Sequence, residues 1–175
     1  MTGSDLPAQP SVIAGCATEG FPADADHASV CAYFWVGISL GIKTDEEANA
    51  LAYGLIEALD APPIEIIEIA TSHDKFAAMD ALEIGARTAN WQQAGCWLLS
   101  DIGARLVAGE MSVPFAIWKS IAIGLMTDLS RELWVELSLL EDEVDLISSG
   151  IVSAQQLQDD LLQVLKRHGA MADGR

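Results

Sequence analysis

Residues 128–148 have the sequence DLSRELWVELSLLEDEVDLIS, which indicates the fold class of the chain more directly than any other stretch. Its apolar residues recur at steps of three or four positions; they are Leu129, Leu133, Leu137, Leu140, Val144 and Ile147. This spacing puts them on one side of an α-helix, since a helix turns once in about 3.6 residues. The stretch therefore predicts a long amphipathic helix, capped by Asp128 or Ser130, whose apolar side faces a core.

Two further helices have clear start signals. A Ser or Thr followed three positions later by Glu or Gln forms a capping box, in which side chain and backbone satisfy each other's unpaired groups. The two capping boxes are Thr44 with Glu47 and Ser153 with Gln156. The first helix is predicted over residues 44–59, because the double proline that follows prevents continuation. The second is predicted over residues 153–168 and ends at Gly169.

The other helices are predicted from apolar periodicity between glycine and proline breaks, over residues 30–42, 72–88, 90–108 and 114–126. In the second of these, Phe76, Met79 and Leu82 are expected to face inward. Residues 64–69, IEIIEI, fit either a short strand or one to two turns of helix behind a proline, and we favour the helix.

These segments predict an all-α protein that is an irregular bundle of about six to eight helices. Residues 29–175 are expected to form a single helical domain. Residues 1–28 contain three prolines and three glycines and are expected to be an irregular N-terminal arm.

The charge of the chain is strongly one-sided. Against 26 Asp and Glu stand 9 Lys and Arg, which gives a net charge of -17. Nucleic acid phosphate and anionic membrane surfaces would be repelled, and no cluster of cations offers a local exception. Neither nucleic acid nor a membrane is therefore expected as a partner.

The expected compartment is the cytoplasm. The first cation is Lys43, so the N-terminus lacks the positive region that a secretory signal needs before its apolar stretch. The three cysteines, Cys16, Cys31 and Cys96, form an odd and widely spaced set, which fits reduced thiols better than a disulfide framework.

Candidate chemical groups give no consistent site. His27, Cys31 and Cys16 have the ligand types of a zinc site, but structural zinc sites use two close ligand pairs and only one is present. His73 and Asp74 are neighbours at a predicted helix start, where capping explains them without chemistry. We therefore expect no catalytic residue, no metal and no cofactor.

The acidic residues of the stretch 128–145 are the strongest candidate for a functional surface. Helix physics does not favour them, because like charges one turn apart repel and the C-terminal end of a helix disfavours anions. They are Asp128, Glu132, Glu136, Glu141, Asp142, Glu143 and Asp145. The alternatives are a face that only interacts with water and a docking surface for a basic protein.

The leading hypothesis is a non-enzymatic interaction protein that binds a basic protein partner, as an immunity- or antitoxin-like inhibitor or an adaptor. A second hypothesis is a small-ligand-binding or enzymatic domain with a pocket near His73 and Trp91 or Trp97. A third is a homo-oligomer that associates through residues 113–126, which are apolar on nearly all sides.

Overall fold

The computed structural model describes Phe21 and residues 25–169, and this part of the chain is helical, without strands. Its eight α-helices are α1 (His27–Ser39), α2 (Asp45–Ala58), α3 (Ile64–Thr71), α4 (Lys75–Gly85), α5 (Trp91–Val107), α6 (Val113–Met126), α7 (Arg131–Ser148) and α8 (Ala154–Gly169). A short 3₁₀ turn, Ala86–Thr88, follows α4. The predicted all-α class and the predicted number of helices are confirmed.

The predicted helix starts form by the expected local hydrogen bonds. The Glu47 N–H donates to Thr44 Oγ1 over 3.2 Å, and the Thr44 N–H donates to Glu47 Oε2 over 2.8 Å, so the capping box is complete. At α8, the Gln156 N–H donates to Ser153 Oγ over 3.0 Å. Side chains also cap α4, α5 and α7, and these are Asp74, Asn90 and Ser130.

Two uncertain segments of the sequence predictions are assigned by the structure. The segment 64–69 lies in α3 and is helical, as favoured. Helix α1 begins at His27, with Asp26 as its cap, so its first two residues belong to the stretch predicted as irregular. Apart from Phe21 and residues 25–28, the predicted arm lies outside the described residues, as does Cys16.

Helix α5 lies at the centre of the fold. It packs against α1, α6 and α8, and its Leu98, Leu99 and Ile102 side chains are completely buried. Helices α5 to α8 form a closed ring in which each packs against the next and α8 returns to α5. Helix α1 joins this ring to the layer formed by α2, α3 and α4.

The prediction that Phe76 faces inward is wrong. Its side chain is 81% exposed, although Leu82 is buried and Met79 partly buried as expected. The buried side of α4 consists mainly of small residues and ends at Gly85, where a Cβ atom would lie 2.7 Å from Cys31 Sγ. Because α1 approaches α4 so closely, this interface is filled by small residues, and Phe76 lies on another side of the helix.

The described helices include none that combines the length and the apolar character needed to cross a bilayer.

Candidate functional site

The acidic residues of α7 do not form one continuous stripe. At about 100° per residue, Glu132, Glu136 and Glu143 fall on one flank of the side that buries Leu133 and Leu137. The remaining helical carboxylates lie elsewhere: Glu141 and Asp145 on the opposite flank, and Asp142 on the outward side. The first flank faces α8, because Glu136 contacts side chains of α8, and the second faces α6, because Trp134 on that flank lines a groove with residues of α6.

Glu136 already has partners within the chain. Its Oε2 atom lies 3.1 Å from His168 Nε2, and its Oε1 atom accepts from the guanidinium of Arg167. Both partners lie in the last turn of α8, where the helix dipole favours cations. Glu136 therefore connects α7 to α8, and only its remaining hydrogen-bonding capacity is open to a partner.

The other predicted acidic residues lie toward solvent. Asp128, Glu132, Glu141, Asp142 and Asp145 are exposed, and Glu143 is partly buried. Asp128 lies before the helix, in the turn between α6 and α7, with a left-handed backbone (φ 51°) that aspartate tolerates better than most residues.

Large apolar side chains are exposed on the same helix. Val135, Leu139 and Leu146 are 43%, 59% and 37% exposed. By helical geometry they form a strip between the two acidic flanks. Trp134, on the α6 flank, is 50% exposed. The solvent side of α7 is therefore a mixture of apolar and anionic groups.

Helix α6 also has large apolar side chains that are exposed. Phe115 and Trp118 are half exposed and stack on each other with ring centroids 5.8 Å apart, and Leu125 is 72% exposed. The amino group of Lys119 lies over both rings, 4.7 and 4.8 Å from their centroids, and donates to the Leu40 carbonyl. Burial lowers the pKa of Lys119. This cation therefore serves internal contacts.

A groove of about 350 Å³ runs between α6 and α7. Its apolar lining comes from Ile121, Leu125, Leu129, Trp134 and Leu137. Asp128, Ser130 and Arg131 supply polar groups at the end nearest the turn.

The turn that closes this groove is held against α5. The Thr127 hydroxyl donates to the Ile123 carbonyl over 2.7 Å, and the Leu129 N–H donates to the Gly124 carbonyl over 3.2 Å. Gly95 of α5 approaches so closely that a Cβ atom there would clash with the Thr127 side chain. The position of the groove thus depends on a contact between distant parts of the sequence.

The five tryptophans differ in their surroundings. Trp97 is buried against Phe21 and Tyr33, and Trp91 meets Trp35 edge to face at 5.9 Å. The two half-exposed tryptophans are Trp118 and Trp134. The pocket hypothesis named Trp91 and Trp97, but the groove described here is lined by Trp134.

The other candidate groups have local roles. His73 is exposed, and the Asp74 carboxylate accepts from the Ala77 N–H over 2.9 Å as the cap of α4. Cys31 is buried, and burial followed by the charges of Glu65 and Asp26 raises its pKa to about 12. Within residues 25–169 no three His, Cys, Asp or Glu side chains are grouped as metal ligands would be.

Residues 37–41, GISLG, have the GxSxG spacing of a nucleophile elbow, which the expectation of no catalytic residue did not take into account. A nucleophile elbow needs a sharp turn between a strand and a helix. Here Ser39 is the last residue of α1, and its hydroxyl donates to the Trp35 carbonyl over 2.7 Å. The motif therefore lacks the structural context of a nucleophile.

A polar cluster that the sequence did not predict joins α1, α2 and α5. The Tyr33 hydroxyl donates to Asp101, and Lys43 Nζ lies 3.0 Å from the same carboxylate and 3.5 Å from Glu47. Burial and then the charge of Asp101 raise the pKa of Tyr33. The Arg105 guanidinium donates to the Ile42 carbonyl over 2.5 Å. These bonds fix the α1–α2 turn against α5.

Comparison with family models, with curated proteins and with solved structures gives no match for this chain.

Proposed function

We propose that this chain is a non-enzymatic interaction protein that binds a basic protein partner through α7 and the adjoining side of α6. The protein would act as an immunity- or antitoxin-like inhibitor or as an adaptor, and its net charge of -17 suits the binding of a basic protein in either role. The observation that carries the proposal is the mixed surface of α7, where exposed Val135, Leu139 and Trp134 lie among carboxylates.

A face that served only solubility would need no large apolar side chains. Exposed apolar groups cost solubility, whereas an interface commonly combines an apolar centre with a charged rim. The surface therefore supports a docking function better than simple hydration does.

The charge balance supports the basic nature of the partner. Arg131 is the one cation of α7, and Arg167 is paired with Glu136. A basic partner would be attracted over a distance of about one Debye length, roughly 10 Å at 0.1 M salt.

We propose that the protein acts in the cytoplasm. Cys31 and Cys96, the two cysteines in the described part of the chain, are both buried and unpaired. Free thiols are typical of reducing compartments.

The test is an affinity purification from cell extract with the full chain as bait at about 20 mM salt, followed by mass spectrometry and by kinetics with the purified partner. The surface variant reverses three exposed carboxylates of α7, Glu132, Glu141 and Asp142, to Lys. The control reverses three exposed carboxylates elsewhere, Glu57, Glu83 and Glu110, so that both proteins have the same net charge.

We expect one basic protein to be retained by the wild type and by the control and to be lost with the surface variant. Its association rate should fall at least about tenfold between about 20 mM and about 0.3 M salt. A partner that both variants lose equally would respond to net charge alone and would contradict the proposed surface.

A further inference from the structure

We propose that the groove between α6 and α7 receives an amphipathic helix of the basic partner, with its apolar side in the groove and its Lys and Arg residues toward the carboxylates of α7. This inference rests on the proposed function and specifies which part of the surface makes the central contact.

The shape of the groove suits a helix. It lies between two helices that pack against each other, and its lining is apolar from Ile121 and Leu125 on one wall to Trp134 on the other. An amphipathic helix that enters such a groove uses anchors at positions i, i+3 or i+4, and i+7. Trp118 and Phe115, also on α6, are half exposed but do not line the groove.

The charges beside the groove specify the chemistry of its occupant. Glu141 and Asp145 lie on the same side of α7 as Trp134, two and three turns further along the helix. The distance from Trp134 to Asp145 along the helix is about 16 Å, since each residue adds about 1.5 Å. A partner helix of about three turns would match this length, and its cations would face Glu141 and Asp145.

A second copy of this chain fits the groove less well than a basic helix does. Each copy has a net charge of -17, so two copies would bring carboxylates together at the groove edge. Charge complementarity therefore favours a cationic occupant.

The experiment uses a substitution that fills the groove without removing any group. Gly124 lines the groove, and a Cβ atom there would meet Leu133 Cδ2 at 3.8 Å, an ordinary contact. In Gly124→Leu the added side chain would occupy the groove, and leucine favours the helical state over glycine. The matched control is Gly54→Leu on α2, where a Cβ atom meets nothing within 4 Å.

A displayed library of helix-forming peptides, each of about 14 residues, is selected on the full chain and counter-selected on Gly124→Leu. We expect the enriched peptides to have a net positive charge and apolar residues at i, i+3 or i+4, and i+7. Their affinity should fall at least about tenfold with Gly124→Leu and stay within about twofold with Gly54→Leu.

Several outcomes would overturn the inference. These are no enrichment, enrichment of uncharged or acidic peptides, and equal binding to both leucine variants. A dimer of the chain that Gly124→Leu abolishes would assign the groove to a second copy.

The two proposals can fail separately. If charge reversal at Glu132, Glu141 and Asp142 removes a basic partner that Gly124→Leu still binds, the partner docks on the outer side of α7. The proposed function would then stand without the groove. If neither substitution affects any partner, both proposals fail.

Discussion

The contact between α5 and the α6–α7 turn leads to a quantitative prediction for Gly95→Ala. The added methyl group would clash with Thr127 Oγ1 and come within 2.9 Å of Leu129 Cδ1. Thr127 is completely buried, and turning its side chain away would break the hydrogen bond from its hydroxyl to the Ile123 carbonyl. The substitution therefore forces a shift in the turn that closes the groove.

The expected loss of stability is about 1–3 kcal/mol. Alanine in a helix gains about 0.5–1 kcal/mol over glycine. Overpacking a buried contact costs about 1–3 kcal/mol, and a lost hydrogen bond about 1 kcal/mol more. For a chain of this size the melting temperature should fall by about 2–4 °C for each kcal/mol.

Gly103→Ala is the control on the same helix. A Cβ atom at this position meets Leu165 Cδ1 at 3.9 Å, an ordinary contact, so only the gain in helix propensity of about 0.5–1 kcal/mol remains. Urea denaturation followed by circular dichroism measures both variants. If Gly95→Ala is as stable as Gly103→Ala, the close contact between α5 and the turn does not exist and the reasoning is refuted.

Three further predictions test single positions. Glu136→Gln should lower the free energy of unfolding by about 1 kcal/mol, because it weakens the contact between α7 and α8. The control Glu132→Gln, at an exposed position, should change the free energy of unfolding by less than about 0.5 kcal/mol. Urea denaturation measures both, and equal effects would contradict a structural role for Glu136. The pKa of Cys31 is raised from 9.0 to about 12, so as the pH rises the thiol ionises first in the unfolded chain. The contribution of Cys31 to the free energy of unfolding is therefore constant below about pH 9. Above that pH it falls by up to about 1.4 kcal/mol per pH unit. Unfolding at about pH 8 and about pH 10.5 should show a smaller decrease for Cys31→Ala than for the wild type, and identical decreases would exclude this origin. Phe76→Gln should change the melting temperature little, whereas Leu82→Ala should cost about 2–5 kcal/mol, and a large effect of the first would mean that Phe76 is buried after all.

Most helices could be predicted from the sequence because their signals are local. A capping residue bonds to a backbone group three positions away, as Thr44 does with Glu47, so no other part of the chain is needed. The spacing of Leu133, Leu137 and Leu140 likewise identifies the buried side of α7, and all three are buried. The orientation of Phe76 could not be predicted, since it depends on how closely α1 approaches Gly85.

The candidate site could be predicted only in part. The sequence identified the acidic residues of 128–145, and five of the seven are exposed. It did not show that they divide between two flanks, that Glu136 pairs with Arg167 and His168, or that Trp134 lines a groove.

The sequence by itself thus determined that residues 131–148 are helical, which residues cap the helices and how acidic the chain is, because hydrogen bonding and periodicity within a helix act over about four residues. The tertiary structure decided which side of α7 meets α6 and which meets α8, and with it where exposed Leu139 and Trp134 lie among the carboxylates. Those neighbours are set by packing between helices that are distant in the chain, and local sequence patterns do not encode which faces will meet.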